Sequence, residues 1–384
     1  MAALATVFRW LAGAAAAAAV ALPCAAQAVS RASVSSAGQQ AASDSYAPVV
    51  SSDGRFVVFH SRAWNLAPGD TDSTFDVFLH DRADGSTELM SVDSSGVQLA
   101  AANEDPSVSG DGLRVAFESW TVPFPGYNMT ALLLRDRQAG TTRAVAVHSF
   151  GGAFRASLSA DGGTVLLSTD EELAFPDNNG VHDVYAYDVA SAVFARVSVA
   201  TGGTEANAGS AWSAASGDGR RVAFDSAASN LVPADTNGLQ AVFLRDRRAG
   251  TTTRVSVGPG GVEANGDSRL PAISADGRYV AFESFASNLV PGDTNLRMDV
   301  FLHDTQTGTT SRVSVSSAGT EAGEDCTSPG IYGDGRHVVF TSAANDLVPG
   351  DTNGTFDVFV RDVFAGTTAR ASVSSTGTQG DGAS

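Results

Sequence analysis

Four segments of the chain place acidic and amide side chains at a spacing that suits a hard cation. Each has an Asp, then an Asp or Asn two residues later, then an Asp four residues after that. The four sets are Asp70/Asp72/Asp76, Asp177/Asn179/Asp183, Asp293/Asn295/Asp299 and Asp351/Asn353/Asp357. Oxygen ligands arranged in this way along a tight loop are typical of calcium sites. The pattern therefore predicts a calcium cofactor in at least one of these four loops.

The same residues also have a purely structural interpretation. Asp and Asn side chains before a strand commonly form Asx turns by accepting hydrogen bonds from nearby backbone N–H groups. A fifth segment keeps Asp235 and Asn237 but has Ala241 where the last Asp would stand. That survival of two residues without the third favours the turn, and both interpretations remain open at the level of sequence.

Sequence motifs of common enzymes are absent. The chain has no Gly-Xaa-Ser-Xaa-Gly, no His-Glu-Xaa-Xaa-His and no Gly-Lys phosphate loop. Its 42 Asp and Glu residues are so numerous that no pair stands out as a catalytic dyad. We therefore expect a non-enzyme, with a calcium-assisted hydrolase or lyase that uses the acidic loops as the alternative.

One segment replaces the acidic pattern with aromatic residues. Trp120, Phe124 and Tyr127 stand where the other copies carry their Asp/Asn loop. Aromatic side chains contribute much of the binding energy at protein interfaces. The segment thus predicts a site for a protein partner, with the alternative that the rings fill space against the next repeat.

The elements that must position these residues recur along the chain. An Asp-Gly pair before a short apolar run marks each copy, at residues 53–54, 111–112, 161–162, 218–219, 276–277 and 334–335. The successive spacings are 58, 50, 57, 58 and 58 residues. A regular period of this size is typical of a repeat protein whose units bury their apolar faces against their neighbours.

The fifth copy shows what each unit contains. Residues 269–274, 279–284, 299–304 and 309–316 read as strands separated by turn residues, with Asp276-Gly277 forming a hairpin between the first two. Six units of four antiparallel strands predict an all-β fold, a six-bladed β-propeller of four-stranded antiparallel blades. A sandwich or a solenoid also uses short strands, but neither explains a four-strand period repeated six times.

The repeats resemble a known family. Ser274-Ala-Asp-Gly-Arg-Tyr-Val-Ala-Phe282 and Ser51-Ser-Asp-Gly-Arg-Phe-Val-Val-Phe59, each followed by Asp-Val-Phe-Xaa-Xaa-Asp, are similar to the WD-like propeller repeat of the TolB-like superfamily. The resemblance spans about residues 30 to 384 and implies a propeller. It does not imply TolB proper, because the repeats follow directly after the predicted leader and leave no room for an N-terminal α/β domain. Function has to come from the site, since propellers host binding and catalysis alike.

The first 28 residues have the features of a secretory signal. Arg9 precedes an apolar, alanine-rich stretch over residues 11–22, and Ala26-Gln27-Ala28 supplies small residues for cleavage. We expect cleavage near Ala28 and export to the periplasm or the medium. Residues 29–384 then form a single propeller domain, with blades at about 46–105, 106–154, 155–210, 211–268, 269–326 and 327–384.

The overall charge narrows the class of partner. The chain has a formal net charge of -18, and all of its basic residues other than histidine are arginine. Nucleic acids and anionic membranes require a cationic surface, so we expect neither nucleic-acid binding nor membrane insertion. A protein partner or a cation fits this balance better.

The two ends of the repeat region carry one copy too many of a short sequence. Arg31-Ala-Ser-Val-Ser35 and Arg370-Ala-Ser-Val-Ser374 both match the segment predicted to be the fourth strand. Six blades need six fourth strands, so one copy is surplus. It either completes a blade begun at the other terminus or adds to a blade as a fifth, edge strand.

Overall fold

A computed structural model describes residues 29–124, 127–148, 154–174, 176–233, 235–380 and 382, and describes residues 121–124 and 127–128 by their backbone alone. These residues form 24 strands and one 3₁₀ turn, Pro259–Gly261. The strands make six four-stranded antiparallel sheets. The six-bladed β-propeller predicted from the repeats is confirmed. Among the described residues, no helix is long and apolar enough to cross a membrane.

The first three blades span the N-terminal half of the chain. Blade 1 contains β1 (Ser45–Val50), β2 (Phe56–Ser61), β3 (Asp76–Asp81) and β4 (Thr87–Leu89). Blade 2 contains β5 (Ala102–Val108), β6 (Arg114–Phe124), β7 (Tyr127–Asp136) and β8 (Thr141–His148). Blade 3 contains β9 (Ser157–Leu158), β10 (Thr164–Thr169), β11 (Asp183–Asp188) and β12 (Val193–Arg196).

The other three blades are more alike in length. Blade 4 contains β13 (Ser210–Ala215), β14 (Arg221–Ser226), β15 (Ala241–Asp246) and β16 (Thr251–Arg254). Blade 5 contains β17 (Ser268–Ile273), β18 (Tyr279–Ser284), β19 (Asp299–Asp304) and β20 (Thr309–Arg312). Blade 6 contains β21 (Cys326–Ile331), β22 (His337–Ser342), β23 (Asp357–Asp362) and β24 (Thr367–Arg370).

The Ser-Xaa-Asp-Gly-Arg motif builds the first turn of a blade and ties it to the third strand. In blade 5, Ser274 Oγ donates to Asp276 Oδ1 (2.6 Å), which also accepts the N–H of Arg278 (2.9 Å). Gly277 has a φ of 71°, in the left-handed region that glycine enters without strain. Arg278 Nη2 then pairs with Oδ2 of Asp304 at 2.7 Å. The same arginine–aspartate pair recurs in blades 1, 4 and 6, so the motif has a structural role.

The apolar core lies between neighbouring blades. Ala223 and Val242 of blade 4 share one buried cluster with Val280 and Phe282 of blade 5. Clusters of this kind join each consecutive pair from blades 1 and 2 to blades 5 and 6. The second strands of blades 2 to 5 are therefore covered on both faces, which explains their runs of consecutive apolar residues.

The fourth strand of blade 5 is shorter than the sequence predicts. In blade 5, β20 ends at Arg312, and the following residues form a small crossover hairpin closed by a bridge between Val315 and Glu321. Equivalent bridges join Val34 to Gln40, Val92 to Gln98, Val199 to Glu205, Val257 to Glu263 and Val373 to Gln379. The Arg-Xaa-Ser-Val-Ser sequence thus marks the end of the fourth strand and the start of the hairpin, because Val313 and Ser314 both donate to Val300 O of β19 and Val315 bridges to Glu321 instead.

The surplus copy follows the same rule. Residues 29–41, the N-terminal segment, form the first hairpin of this type, and Thr87 Oγ1 in β4 donates to Val34 O. Ala32 and Ala41 of this segment pack onto the apolar face of blade 1. The surplus copy therefore neither completes one of the six blades nor adds an edge strand to one, which differs from both interpretations of the sequence.

Candidate functional site

The middle residue of the Asp/Asn loops makes an Asx turn. Asp72 Oδ1 accepts the N–H of Thr74 (2.8 Å), and Asn295 Oδ1 accepts that of Arg297 (3.0 Å). In blade 5 the Asn295 Nδ2 also donates to Asp299 Oδ2 (2.9 Å). The turn interpretation therefore applies in both blades, and in blade 5 the amide presents its N–H rather than its oxygen to the last Asp.

The other two amides predicted as metal ligands, Asn179 and Asn353, have the same orientation. Each Oδ1 accepts the backbone N–H two residues later, at 2.9 Å in blade 3 and 3.2 Å in blade 6. The Asn179 Nδ2 lies 3.4 Å from Asp183 Oδ2, and the Asn353 Nδ2 lies 3.3 Å from Asp357 Oδ2. The amide oxygens of Asn179, Asn295 and Asn353, which the sequence predicts as metal ligands, thus accept backbone hydrogen bonds in this structure. The Asx turn occupies the amide oxygen, so only the N–H group faces the position where a cation would need an oxygen.

The last Asp of each loop begins the third strand and is completely buried. This holds for all four sets, at Asp76, Asp183, Asp299 and Asp357. In blade 5, Ser314 Oγ donates to Asp299 Oδ1 (2.5 Å) and accepts the N–H of Val300 (3.1 Å). A buried carboxylate remains costly unless a positive charge also neutralises it.

In blade 5 a buried arginine supplies that charge. Arg312, the last residue of β20, places Nη1 3.2 Å from Asp299 Oδ2 and 3.3 Å from Asp293 Oδ1. Its Nη2 lies 2.6 Å from Glu321 Oε1 in the crossover hairpin. Blades 3, 4 and 6 use Arg196, Arg254 and Arg370 in the same way. The structure brings the predicted ligands of blades 3, 5 and 6 together, but around a guanidinium.

Blade 1 lacks this arginine. Leu89 pairs with Phe78 in the register in which Arg312 pairs with Phe301, so leucine stands at the arginine position. Carboxylate oxygens of Asp70, Asp72 and Asp76 all lie within 4.8 Å of one another. In the described part of the chain, none of these three carboxylates has a cationic side chain within ion-pair distance.

A neutral side chain takes part of the arginine's place in blade 1. Gln98 Nε2 donates to Asp76 Oδ2 (2.7 Å) and to Asp70 Oδ1 (3.1 Å). The pKa of Asp76 is raised to about 6, mainly by burial and to a smaller extent by the nearby charges of Asp70 and Asp72, against the hydrogen bonds from Ser91 and Gln98. The site therefore concentrates negative charge that the protein's own described side chains do not neutralise.

Asn103 of blade 2 borders the same site. Its side chain is fully buried, with Nδ2 2.6 Å from Ala101 O and 3.4 Å from Asp76 Oδ1. Its Oδ1 is buried without a hydrogen-bond partner. Sequence reasoning missed Leu89, Gln98 and Asn103. The signal for the first was present, because Leu-Met-Ser-Val stands at 89–92 where other copies read Arg-Val-Ser-Val.

The aromatic segment of blade 2 is an extended hairpin arm. Strands β6 and β7 contain 11 and 10 residues, against six in the corresponding strands of the other blades. Their pairing continues from Trp120 opposite Thr130 to Phe124 opposite Tyr127. Five residues beyond the common end of the strand extend the arm by roughly 16 Å. Trp120 is half-buried, and the side chains of Phe124 and Tyr127 lie outside the described residues.

A second set of buried ionisable groups seals the interfaces between blades. Glu118 Oε1 accepts the N–H of Phe154 (2.8 Å) and of Arg155 (3.0 Å), and Arg155 is in the left-handed region at φ 47°. Burial raises the pKa of Glu118 to about 7, although the two N–H donors favour its charged form. These groups hold a strained bulge in the first strand of the next blade and have a structural role. Equivalent bonds from the next blade are accepted by His60, Asp225 and Glu283.

The central channel is lined by the first strand and first turn of every blade. Its volume is about 470 Å³, and it is lined mainly by Gly, Ala, Ser and aliphatic side chains. Among its described lining residues, Tyr332 alone carries an ionisable group. The channel wall thus offers hydroxyl and apolar contacts, whereas the acidic loops lie on the blades.

Comparison with known proteins shows a likeness in fold. No protein family matches the chain, and no curated protein matches its sequence. The β-propeller domain of the Trilobed protease from Pyrococcus furiosus, described as having an open velcro topology, is 9% identical with a TM-score of 0.51, covering 85% of this chain and 84% of that one. Oligogalacturonate lyase from Vibrio parahaemolyticus is 11% identical with a TM-score of 0.51, covering 84% and 78%.

A TolB protein from Agrobacterium tumefaciens is also similar. It is 19% identical with a TM-score of 0.44, covering 70% of this chain and 80% of that one. The two structures with a TM-score of 0.51 support a β-propeller fold, while the membership of this chain in the TolB-like repeat family stays a prediction. Identities this low describe the fold and leave the function to the site.

Proposed function

We propose that this protein is an exported interaction scaffold that binds a protein partner through blade 2 and is stabilised by a divalent cation in blade 1. The arm formed by β6 and β7 carries the proposal. The stabilising arginine–aspartate pairs recur in several blades, whereas among the described residues this arm is found in one blade, where it replaces an acidic loop with Trp120, Phe124 and Tyr127. A projecting two-stranded ribbon with aromatic residues suits a contact surface.

Substitution of the arm tests the scaffold role. Trp120→Ala combined with Tyr127→Ala should abolish capture of the partner from an envelope extract, measured by pull-down and mass spectrometry. Trp64→Ala is the matched control, because Trp64 is a 63% exposed tryptophan on blade 1. Capture that survives the double substitution, in a protein with unchanged melting temperature, would contradict binding through the arm.

The cation part of the proposal rests on Leu89, which stands in blade 1 at the position that Arg312 occupies in blade 5. Four blades neutralise a buried carboxylate cluster with arginine, and blade 1 keeps the cluster without it. Calcium prefers carboxylate and amide oxygens. Asp70, Asp72 and Asp76 would hold the ion, and the unpartnered Oδ1 of Asn103 provides a neutral oxygen beside Asp76 once its amide rotates.

Calorimetry of the mature chain with calcium or a chelator tests this. At a hundredfold excess over the dissociation constant, calcium should stabilise the protein by about 2.7 kcal/mol. Leu89→Arg should remove this response, because the guanidinium would occupy the same place. It should also stabilise the chelator-treated protein, since a chelator removes calcium but not an arginine side chain. Equal melting temperatures of the wild type in chelator and in millimolar calcium would leave only the turn interpretation.

Export is tested on the N-terminus. Residues 1–28 combine Arg9, an apolar stretch and Ala26-Gln27-Ala28, which supports removal near Ala28. Mass spectrometry of the protein recovered from a periplasmic or culture fraction should find a chain beginning near residue 29. Recovery of the intact chain from the cytosol alone would contradict the proposal.

A calcium-assisted hydrolase or lyase is the alternative. Such an enzyme would bind its substrate at the acidic loops, and a bound cation would supply Lewis-acid chemistry there. Turnover in a screen of hydrolase and lyase substrates that requires calcium and disappears with Asp70→Asn would favour it over the scaffold.

A further inference from the structure

The face of blade 6 that leads toward blade 1 is uncovered. In blades 2, 4, 5 and 6 the first strand packs on the second and third strands of the blade before it, as β21 does on β18 and β19. The residues of blade 5 beneath β21 are buried, at 5% exposure or less. The corresponding Val339 of blade 6 is 39% exposed, and Val358 and Val360 are half-buried. No described strand packs on this face of blade 6. The buried residues under β21 are Ala281, Val300 and Leu302.

The first strand of blade 1 is exposed on the matching side. Val50 is 53% exposed, whereas its equivalents Val108 and Ile273 are buried at 6% and 8%. Ala47 holds the left-handed bulge at φ 46°, like Ser328 of blade 6 at φ 55°. The N–H of Ser328 donates to the glutamate of the preceding blade (2.9 Å), but among the described residues no side chain of blade 6 accepts that of Ala47. Blades 6 and 1 therefore do not form the interface that joins the other pairs.

Contacts between the crossover hairpins and the fourth strands show that there is room for one further repeat unit between blade 6 and blade 1. The hairpin after blade 5 contacts β24 of blade 6, where Thr368 N donates to Ser317 Oγ (2.9 Å). The equivalent serine of the hairpin after blade 6 is Ser375, and its Oγ accepts the N–H of Val29 (3.2 Å). By the alignment of the two Arg-Ala-Ser-Val-Ser copies, Val29 corresponds to Thr368.

The N-terminal segment therefore takes the place of a fourth strand and hairpin of a further repeat unit. Its other side contacts blade 1 as a hairpin should, with Thr87 N donating to Ser36 Oγ (2.9 Å). The space between blade 6 and blade 1 is thus filled at its outer edge by residues 29–41. The three inner strands of that unit have no counterpart among the described residues. We name this space, bordered by Val339, Val358, Val360 and Val50, the seam.

We propose that the seam is a docking site for a strand-donating protein partner that inserts antiparallel β-strands of the repeat type between blade 6 and blade 1. The existing interfaces specify its chemistry, because the seam continues them. Its leading strand must present small or branched apolar side chains to Val339, Val358 and Val360, as β21 presents Ile331 to blade 5. Insertion of this kind gains main-chain hydrogen bonds and buries apolar surface together.

The inference rests on the proposed scaffold role and deepens it by naming a second contact surface. Its test measures the reactivity of a thiol in the seam, whereas the scaffold test measures partner capture through the arm of blade 2. Failure of one therefore leaves the other result intact. The probe is a polypeptide with the sequence of residues 268–304, which comprises β17, β18 and β19 of the most regular blade.

A thiol at position 339 reports whether the seam is open. Val339→Cys is made in the full chain with Cys24→Ser, and its reaction rate with a maleimide is measured. Cys326 gives no background, because it is buried and burial raises its pKa to about 12. Without the probe we expect a rate near that of an exposed thiol. With saturating probe we expect at least a tenfold decrease. Ala281→Cys, at the covered equivalent position in blade 5, should react slowly in both cases.

Two further experiments make the test decisive. The probe sequence is also joined after Ser384 through a short Gly/Ser linker, which supplies a high effective concentration at the seam. Val358→Asp should abolish protection of the introduced thiol in both formats, while the melting temperature shows that the fold is retained. An introduced thiol that is already protected without probe overturns the proposal, and sedimentation then tells whether a second copy covers it. A rate unaffected by the probe in both formats overturns it as well.

Discussion

Blade 5 neutralises its buried Asp299 with Arg312. In blade 1, by contrast, the neutral Gln98 donates to Asp76, and Leu89 stands at the position equivalent to Arg312. Both blades keep the same four strands, the same Ser-Xaa-Asp-Gly-Arg turn and the same Asp loop. The difference separates two roles within one motif. The loop folds in either blade, and the residue across the sheet decides whether its charge is balanced from within the chain.

The same two blades differ in how they are covered. Blade 5 lies between blades 4 and 6 and shares a buried cluster with each. Blade 1 shares one with blade 2, and on its other side it meets the short N-terminal segment. A repeat protein gains stability from contacts between neighbours, so the blade with one full neighbour is where an ion or a partner changes stability most.

The largest effect should come from giving blade 5 the residue of blade 1. Arg312→Leu leaves Asp293, Asp299 and Glu321 without their cation, and removing one partner of a buried ion pair costs about 4 kcal/mol. Chemical denaturation measures the loss. Arg297→Leu is the control, because Arg297 forms an exposed pair with a glutamate and should cost less than about 1 kcal/mol. Similar losses for both variants would contradict a special role for Arg312.

A pair of glycine substitutions tests how the blades are covered. Gly335 of blade 6 has φ 72°, and a Cβ there would overlap the Tyr279 ring of blade 5. Gly54 of blade 1 has φ 75°, and its nearest neighbour would be Arg82 Nη1 at 3.8 Å. Gly335→Ala should cost about 3 kcal/mol through strain and overlap, and Gly54→Ala about 1 kcal/mol through strain alone. Equal costs in urea denaturation would show that blade 1 is covered as blade 5 is.

Substitutions of the first Asp compare the two loops in calcium. Asp70→Asn should remove most of the stabilisation of about 2.7 kcal/mol expected at a hundredfold excess of calcium. Asp293→Asn should leave that response intact, because Arg312 already neutralises its loop. Melting temperatures in calcium and in chelator measure both. Loss of the response in both variants would place the ion elsewhere than blade 1.

The smallest effect concerns acid. His60 of blade 1 stands where blade 5 has Glu283, and its Nδ1 accepts the N–H of Asp105 (3.1 Å). Burial lowers the pKa of His60. His60 therefore binds a proton more tightly in the unfolded chain than in the folded one. Its contribution to the free energy of unfolding is fully present above pH ~6.5 and is lost as the pH falls below that value. His60→Gln should abolish this slope and raise the melting temperature at pH 5 relative to wild type by about 2 °C. Scanning calorimetry between pH 5 and 8 measures the difference, and parallel profiles would contradict it.

Much of the fold followed from local sequence. The strands β18 and β19 match the predicted residues 279–284 and 299–304, because an Asp-Gly turn and a run of apolar residues are signals within one segment. The fourth strand was predicted too long. Its Val-Ser-Val continuation has strand-like composition, but Val313 and Ser314 both donate to the same Val300 O of β19, and Val315 then bridges to Glu321 in the crossover hairpin.

The candidate site was predictable only in part. The Asp loops were recognised from their spacing, and their Asx turns depend on residues two positions apart. The direction of the amides of Asn179 and Asn353 was not predictable, because spacing does not say which end of an amide faces a carboxylate. The pairing of Arg312 with Asp293 was not predictable either, because the two residues are 19 positions apart and meet only when β19 and β20 pair. The absence of that arginine at Leu89 is visible in the sequence, but it acquires meaning only once the register is known.

The sequence by itself determined the number of blades, their four strands and the turns between them, because each depends on side chains close together in the chain. The tertiary structure decided which loop keeps an unbalanced charge, where the surplus Arg-Ala-Ser-Val-Ser copy goes, and which blade face stays uncovered. Val339 and Ala281 occupy the same place in the repeat, and only the presence or absence of a neighbouring strand separates 39% exposure from 0%. Charge neutralisation and burial are properties of distant segments brought together, so a periodic sequence cannot specify where the period is broken.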